Sequence, residues 1–220
     1  MWYLIIQHEW YMHNGDIDFL RHHRAYITGV IDRIDECVDE EGNENLAKQR
    51  FLDWPSSPNK PGVEAGCRAL LSWALKDAEV LCNLLEEQEH AKKCRAISKR
   101  LKKQIKQPNG LKQAAALMSI AGLMKPEQAC SEVISVGGAK DFSTFYGYYM
   151  LQALAQAGEY QQAVDIIRQY WGGMLDLGAT TFWEDFNLDW THNAARLDDF
   201  VPEGKDDIHG DFGDYCYPSF

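Results

Sequence analysis

The chain has 220 residues, of which 45% are hydrophobic, and a formal net charge of −11 at pH 7. Its length allows one domain or two small ones with a sizeable core, and its negative charge disfavours broad binding to nucleic acid or to an anionic membrane. No apolar run approaches the roughly 20 residues of a membrane span, and WYLII near the start is too short for a signal peptide core, so we expect a soluble segment and leave its location open.

Helical periodicity dominates the first half of the chain. A helix is predicted to begin at Gly15–Asp16, with Asp16 as a plausible N-cap, and a proline-rich loop is predicted over residues 50–62. A second long helix follows from Val63 to Leu85. In the basic run Lys92–Lys106, apolar residues recur at three- and four-residue steps, which predicts an amphipathic helix whose basic residues face the solvent. An RNA- or lipid-binding patch is the alternative.

Two helical hairpins that resemble each other follow the breaker QPNG. In each, an alanine-rich helix ends at a glycine, Gly122 or Gly158, and a second helix starts a few residues later. The 36-residue spacing of these glycines is typical of stacked hairpins, so we predict a layered all-α architecture. After residue 187 the helical pattern ends. Residues 184–214 hold ten Asp or Glu among scattered Gly and Pro, which predicts an irregular acidic segment.

Cysteine and histidine spacing gives no sign of a metal site. The six cysteines include no CxxC pair, and His22 and His23 point about 100° apart on a helix. A helical chain of this size does not need disulfides. We therefore expect neither a metal nor another cofactor.

Two short stretches carry the residue types of a sugar site. FLDW (51–54) and TFWEDF (181–186) each place a carboxylate beside a Trp where a helix meets a loop. Glycoside hydrolysis needs an acid, a base and an aromatic floor under the sugar ring, and Asp53, Trp54, Trp183, Glu184 and Asp185 are of the right kinds.

Each of these residues also has a structural interpretation. Asp53 before Trp-Pro is typical of a turn cap, and both Trp side chains could fill a core. Glu184 and Asp185 could be acids at a helix N-terminus, where the helix dipole favours them.

Taken together, the motifs resemble the α-L-rhamnosidases of glycoside hydrolase family 78. The similarity covers nearly the whole chain, and Gly178 through Glu184 match the family's Gly-Ala-Thr-Thr-x-Trp-Glu motif residue for residue. The other matching segments, in order, are YMHNGDIDFLRHH, FLDWPSSPN, AAALMSIAGLMKPEQA and YYMLQALAQAGEYQQAVDIIRQYW. The resemblance implies stacked helical hairpins forming an incomplete (α/α)6 toroid. It also implies one α-helical domain over 1–220, with hairpins over 1–187 and an irregular acidic segment over 188–220.

The family's chemistry can be carried over at specific positions. The resemblance implies that Glu184 is the general base in an inverting hydrolysis of terminal α-L-rhamnosyl linkages in oligo- or polysaccharides. It also implies that Asp53, Trp54 and Trp183 lie at the sugar pocket. Leu52 replaces a frequent Gly, and Asp185 and Phe186 depart from the family pattern.

The family's general-acid segment, which lies upstream, has no counterpart in this chain. We therefore expect a piece of a larger barrel that is inactive or nearly so alone, whose partner is a rhamnose-containing glycan. Exposed apolar faces of an incomplete barrel would favour pairing with a second copy. The competing prediction is a non-catalytic, tetratricopeptide-like interaction module, and convergence of Asp53 and Glu184 on one Trp-lined pocket would discriminate against it.

Overall fold

The protein is all-α across the residues that its computed structural model describes, which are 1–46, 50–208 and 210–212. Within those ranges there are eight α-helices and no strand, and isolated β-bridges join Val38 to Glu44 and Ala194 to Asp206. This confirms the all-α class predicted from periodicity. The helices are α1 Trp2–Asn14, α2 Ile17–Glu36, α3 Lys60–Leu84, α4 Gln88–Leu101, α5 Lys112–Ile120, α6 Pro126–Ala129, α7 Thr144–Gln156 and α8 Tyr160–Asp176.

The chain divides into two compact units. The first comprises Met1–Arg50 with Glu64–Gln107, and the second comprises Phe51–Val63 with Pro108–Phe220. The single domain expected over 1–220 stays a prediction. In the described residues, no helix is long and apolar enough to cross a membrane.

The first unit is built around the amphipathic helices expected from the sequence. Asp16 caps α2, because its carboxylate accepts a hydrogen bond from the backbone N–H of Phe19 at 2.9 Å. The basic helix α4 buries Ala91, Cys94, Ile97 and Leu101, as predicted, but it ends at Leu101 and not at Lys106, and Ile105 is 58% exposed. Its cations pair with acids of α2, Lys93 with Asp32 and Arg100 with Asp35, so these two charges are engaged within the unit.

Helix α1 was not expected from the sequence. Its apolar residues lie on both faces, since Leu4 and Ile5 are buried whereas Ile6 and Trp10 are about half exposed. A helix with apolar residues on both sides shows little amphipathic periodicity, which explains why the pattern did not predict it.

The second unit contains the two related hairpins, and they prove unequal. Gly122 and Gly158 end the first helix of each hairpin with φ of +74° and +81°. The helix after Gly122, α6, has only four residues and continues into a π-helical turn at Cys130–Ile134, whereas α8 has 17 residues. The two sequence segments are therefore similar in the way their first helices end at a glycine, and they are not two copies of one repeat.

The irregular acidic segment is anchored to the end of α8. A 3₁₀ helix spans Leu188–His192, and beyond it the backbone N–H of Leu197 donates to the carbonyl of Leu177 at 2.8 Å. The Arg196 guanidinium bonds the carbonyl of Asp176 at 2.9 Å. Residues 209 and 213–220 of this segment, including Cys216, lie outside the described residues. Among the described cysteines, Cys37, Cys82, Cys94 and Cys130 are free thiols.

Candidate functional site

The FLDW loop is a hydrogen-bonded turn centred on Asp53. The Asp53 carboxylate accepts from the backbone N–H of Ser56 at 3.1 Å, and the Ser56 hydroxyl donates to the Asp53 carbonyl at 3.0 Å. On its other side the carboxylate accepts from Nε2 of Gln113, in α5, at 3.0 Å. The turn-capping interpretation of Asp53 is thus what the geometry shows, and the carboxylate is largely engaged within the protein.

The TFWEDF stretch follows α8 as an irregular segment with both buried and exposed side chains. Trp183 and Phe186 are each 1% exposed and meet edge to face at 5.8 Å. The Tyr170 hydroxyl, in α8, donates to the Phe186 carbonyl at 2.8 Å and fixes the segment to the helix. Phe182 and Glu184 consequently lie on the exposed side.

Trp183 is therefore a core ring in this structure. With 1% of its surface exposed, it presents no face on which a sugar could stack. Phe182, the variable residue of the motif, is 64% exposed.

The two candidate stretches meet at Trp54 and Glu184. The Trp54 indole N–H donates to Oε1 of Glu184 at 3.1 Å, although the residues lie 130 positions apart in the sequence. The Trp54 ring is 45% exposed and packs edge to face on Phe51 at 5.0 Å. Asp53 and Glu184 thus lie in one region of the second unit.

Asp185 completes a group of three carboxyls. Burial raises the pKa of Asp185, and the negative charges of Asp53 and Glu184 raise it further, against a lowering by the backbone N–H of Phe186. The region therefore has a negative field that favours protons and hydrogen-bond donors such as sugar hydroxyls.

Glu184 also lines a cavity of about 820 Å³ in the second unit. Its wall is predominantly aromatic and aliphatic, with Glu184 as its carboxylate. The lining residues are Thr144, Phe145, Tyr148, Tyr149, Leu151, Ile167, Trp171, Phe182 and Glu184. The residues of α7 were not predicted as site residues; the signal that could have found them is the aromatic run TFYGYY at a helix start.

The titratable groups show no metal-binding cluster. Across the part of the chain that the structure describes, no three His, Cys, Asp or Glu side chains are grouped so that they could hold an ion.

Comparison with known proteins shows the fold. No family model matches the chain, and no curated protein matches its sequence. Among solved structures it is similar to a rhamnosidase from Klebsiella oxytoca with rhamnose bound, with a TM-score of 0.70 and 20% identity. The match covers 97% of this chain and 43% of that one, so the chain spans less than half the length of the rhamnosidase and has a rhamnosidase-like fold.

Proposed function

We propose that the chain is part of the catalytic domain of a glycoside hydrolase of the α-L-rhamnosidase type, related to family 78. The observation that carries this proposal is the 3.1 Å hydrogen bond between Trp54 and Glu184, which joins the two motifs at the wall of an aromatic cavity. The similarity to a rhamnosidase fold supports the glycosidase class. The proposed substrates are oligo- or polysaccharides with terminal α-L-rhamnosyl linkages.

In this proposal Glu184 is the general base of an inverting hydrolysis. Its exposed carboxylate takes a proton from a water molecule, which attacks the anomeric carbon from the face opposite the leaving group. Aromatic rings around it, Trp54 and Phe182 among them, provide flat apolar surfaces for a sugar ring. A general acid would have to lie about 6.5–9.5 Å from the base, and we assign that role to no residue of this chain.

A rhamnosyl ligand should therefore bind to the chain through Trp54. We expect calorimetry or saturation-transfer NMR to detect binding of L-rhamnose, and Trp54→Ala to abolish it because the exposed ring and its contact with Glu184 are both lost. Trp10→Ala is the matched control, since Trp10 is 47% exposed and lies in the first unit. Equal binding by wild type and Trp54→Ala would contradict this site, as would a wild-type chain that binds no rhamnose.

The helical interaction module remains the competing prediction, and no specific observation favours it. The hairpins that suggested a repeat differ in their second helices, of four and 17 residues. Both halves of the proposed sugar site instead lie in one unit, linked by the Trp54–Glu184 contact.

A further inference from the structure

The contact between Trp54 and Glu184 restricts a side chain that would otherwise be mobile. Glu184 is exposed, and an exposed glutamate samples several rotamers. An indole N–H is a donor only, and a hydrogen bond to an ionised carboxylate is stronger than one between neutral groups. The bond from Trp54 to Oε1 therefore favours one orientation of the carboxylate.

Trp54 is itself held by the turn around it. It precedes Pro55, which restricts its backbone to extended conformations, and it follows Asp53, whose carboxylate closes the turn onto Ser56. Gln113 is 1% exposed and binds that carboxylate at 3.0 Å. Gln113 therefore holds Asp53, which is the chain neighbour of Trp54.

We propose that Trp54 is a positioning residue for Glu184, and that Gln113 and Asp53 hold the turn that aims its indole N–H at the carboxylate. Asp53 then acts through the turn and not as a direct sugar ligand. The inference rests on the proposed function only in that a water-activating carboxylate needs a fixed orientation; the contact itself can be measured without catalysis.

The indole N–H of Trp54 offers a direct test by NMR. In the ¹⁵N-labelled chain, its resonance is identified by its loss in Trp54→Phe, which keeps an aromatic ring but removes the donor. We expect this resonance to shift with pH as Glu184 is protonated. In Glu184→Gln it should persist, because the amide oxygen still accepts, but the pH-dependent shift should be lost.

Variants of Gln113 test the support of the turn. Gln113→Met keeps a side chain of similar length but removes the bond to Asp53, so the pH-dependent shift of the Trp54 resonance should decrease. Gln161→Met is the control, since Gln161 is exposed on α8 and bonds Asp165. A pH-dependent shift of the Trp54 resonance that is as large in Gln113→Met as in the wild type would overturn the role of Gln113.

The outcomes separate this inference from the function on which it rests. A Trp54 resonance that does not shift with pH in the folded chain, or that still shifts in Glu184→Gln, overturns the positioning role. L-rhamnose added to the same samples tests the proposed function independently, because it reports on ligand binding whether or not the indole follows Glu184.

Discussion

Neighbouring carboxylates in the same sequence stretch have different environments. Glu184 is exposed and bonded to the Trp54 indole, whereas Asp185 is partly buried and has a raised pKa. The cause is the packing of this stretch, because Trp183 and Phe186 are buried against each other, which leaves Glu184 exposed and Asp185 partly buried. Two carboxyls can thus be neighbours in sequence and differ in burial.

The raised pKa of Asp185 predicts a pH-dependent stability. Its folded-state pKa lies above the unfolded value of about 3.9, so the folded protein loses stability as pH rises through the interval between the two. Asp185→Asn removes this loss. We expect the variant to unfold at a higher temperature than wild type at pH 7, with the difference disappearing below about pH 4.

Asp176→Asn is the matched control for this measurement. Asp176 is an exposed carboxylate at the end of α8. The variant should follow the wild-type dependence of unfolding temperature on pH. An Asp185→Asn protein that is no more stable than wild type at pH 7 would show that the buried carboxyl carries no such cost.

At the scale of elements, one loop of the first unit depends on a glycine. Gly42 has φ of +83°, and a Cβ there would lie 2.1 Å from the carbonyl oxygen of Arg100, at the end of α4. Arg68 holds the same region, because its guanidinium bonds the carbonyls of Gly42 and Leu101 at 2.9 and 3.0 Å. The chain at Gly42, in the connection that follows α2, is therefore packed directly on the backbone at the end of α4.

Gly42→Ala should consequently destabilise the protein strongly. A left-handed alanine costs about 1–2 kcal/mol, and overpacking against backbone adds about 1–3 kcal/mol. Urea unfolding should show both costs in Gly42→Ala, whereas Gly15→Ala should show the first alone. Gly15 has φ of +65° with nothing within 4 Å of its Cβ position. Equal losses in the two variants would contradict the close approach at Gly42.

The elements also show which helices a sequence pattern can predict. Helices α2 and α4 each bury a single apolar stripe, so the sequence periodicity predicts them. Helix α1 is apolar on two faces, so the sequence pattern did not predict it. Helix α6 was predicted after the helix end at Gly122, but the pattern did not reveal that it has only four residues.

At the scale of the whole molecule, the chain corresponds to less than half of the rhamnosidase that it resembles. We assign it a base but no general acid. Positioned acid catalysis typically contributes roughly 10²–10⁴-fold to the rate, and the chain by itself should lack that contribution. Pairing of two copies through exposed helix faces stays a prediction.

We accordingly expect no measurable release of nitrophenol from an aryl α-L-rhamnoside by the 220-residue chain. In a longer active protein that contains these residues, Glu184→Gln should lower kcat by roughly 10²-fold or more, with little change in thermal unfolding. Asp176→Asn should leave kcat unchanged there. Rapid hydrolysis by the chain alone would refute the expectation of inactivity, and an undiminished kcat in Glu184→Gln would remove Glu184 from the mechanism.

The sequence by itself determined the all-α class, the helices with one apolar stripe, and the two stretches that meet at the candidate site. These follow from local periodicity and residue type, which are properties of short segments. Only the tertiary structure decided that Trp183 is a core ring and Phe182 an exposed one, and that Gln113 holds Asp53. It also decided that the indole of Trp54 reaches Glu184 across 130 residues, because burial and long-range hydrogen bonds depend on how distant segments pack.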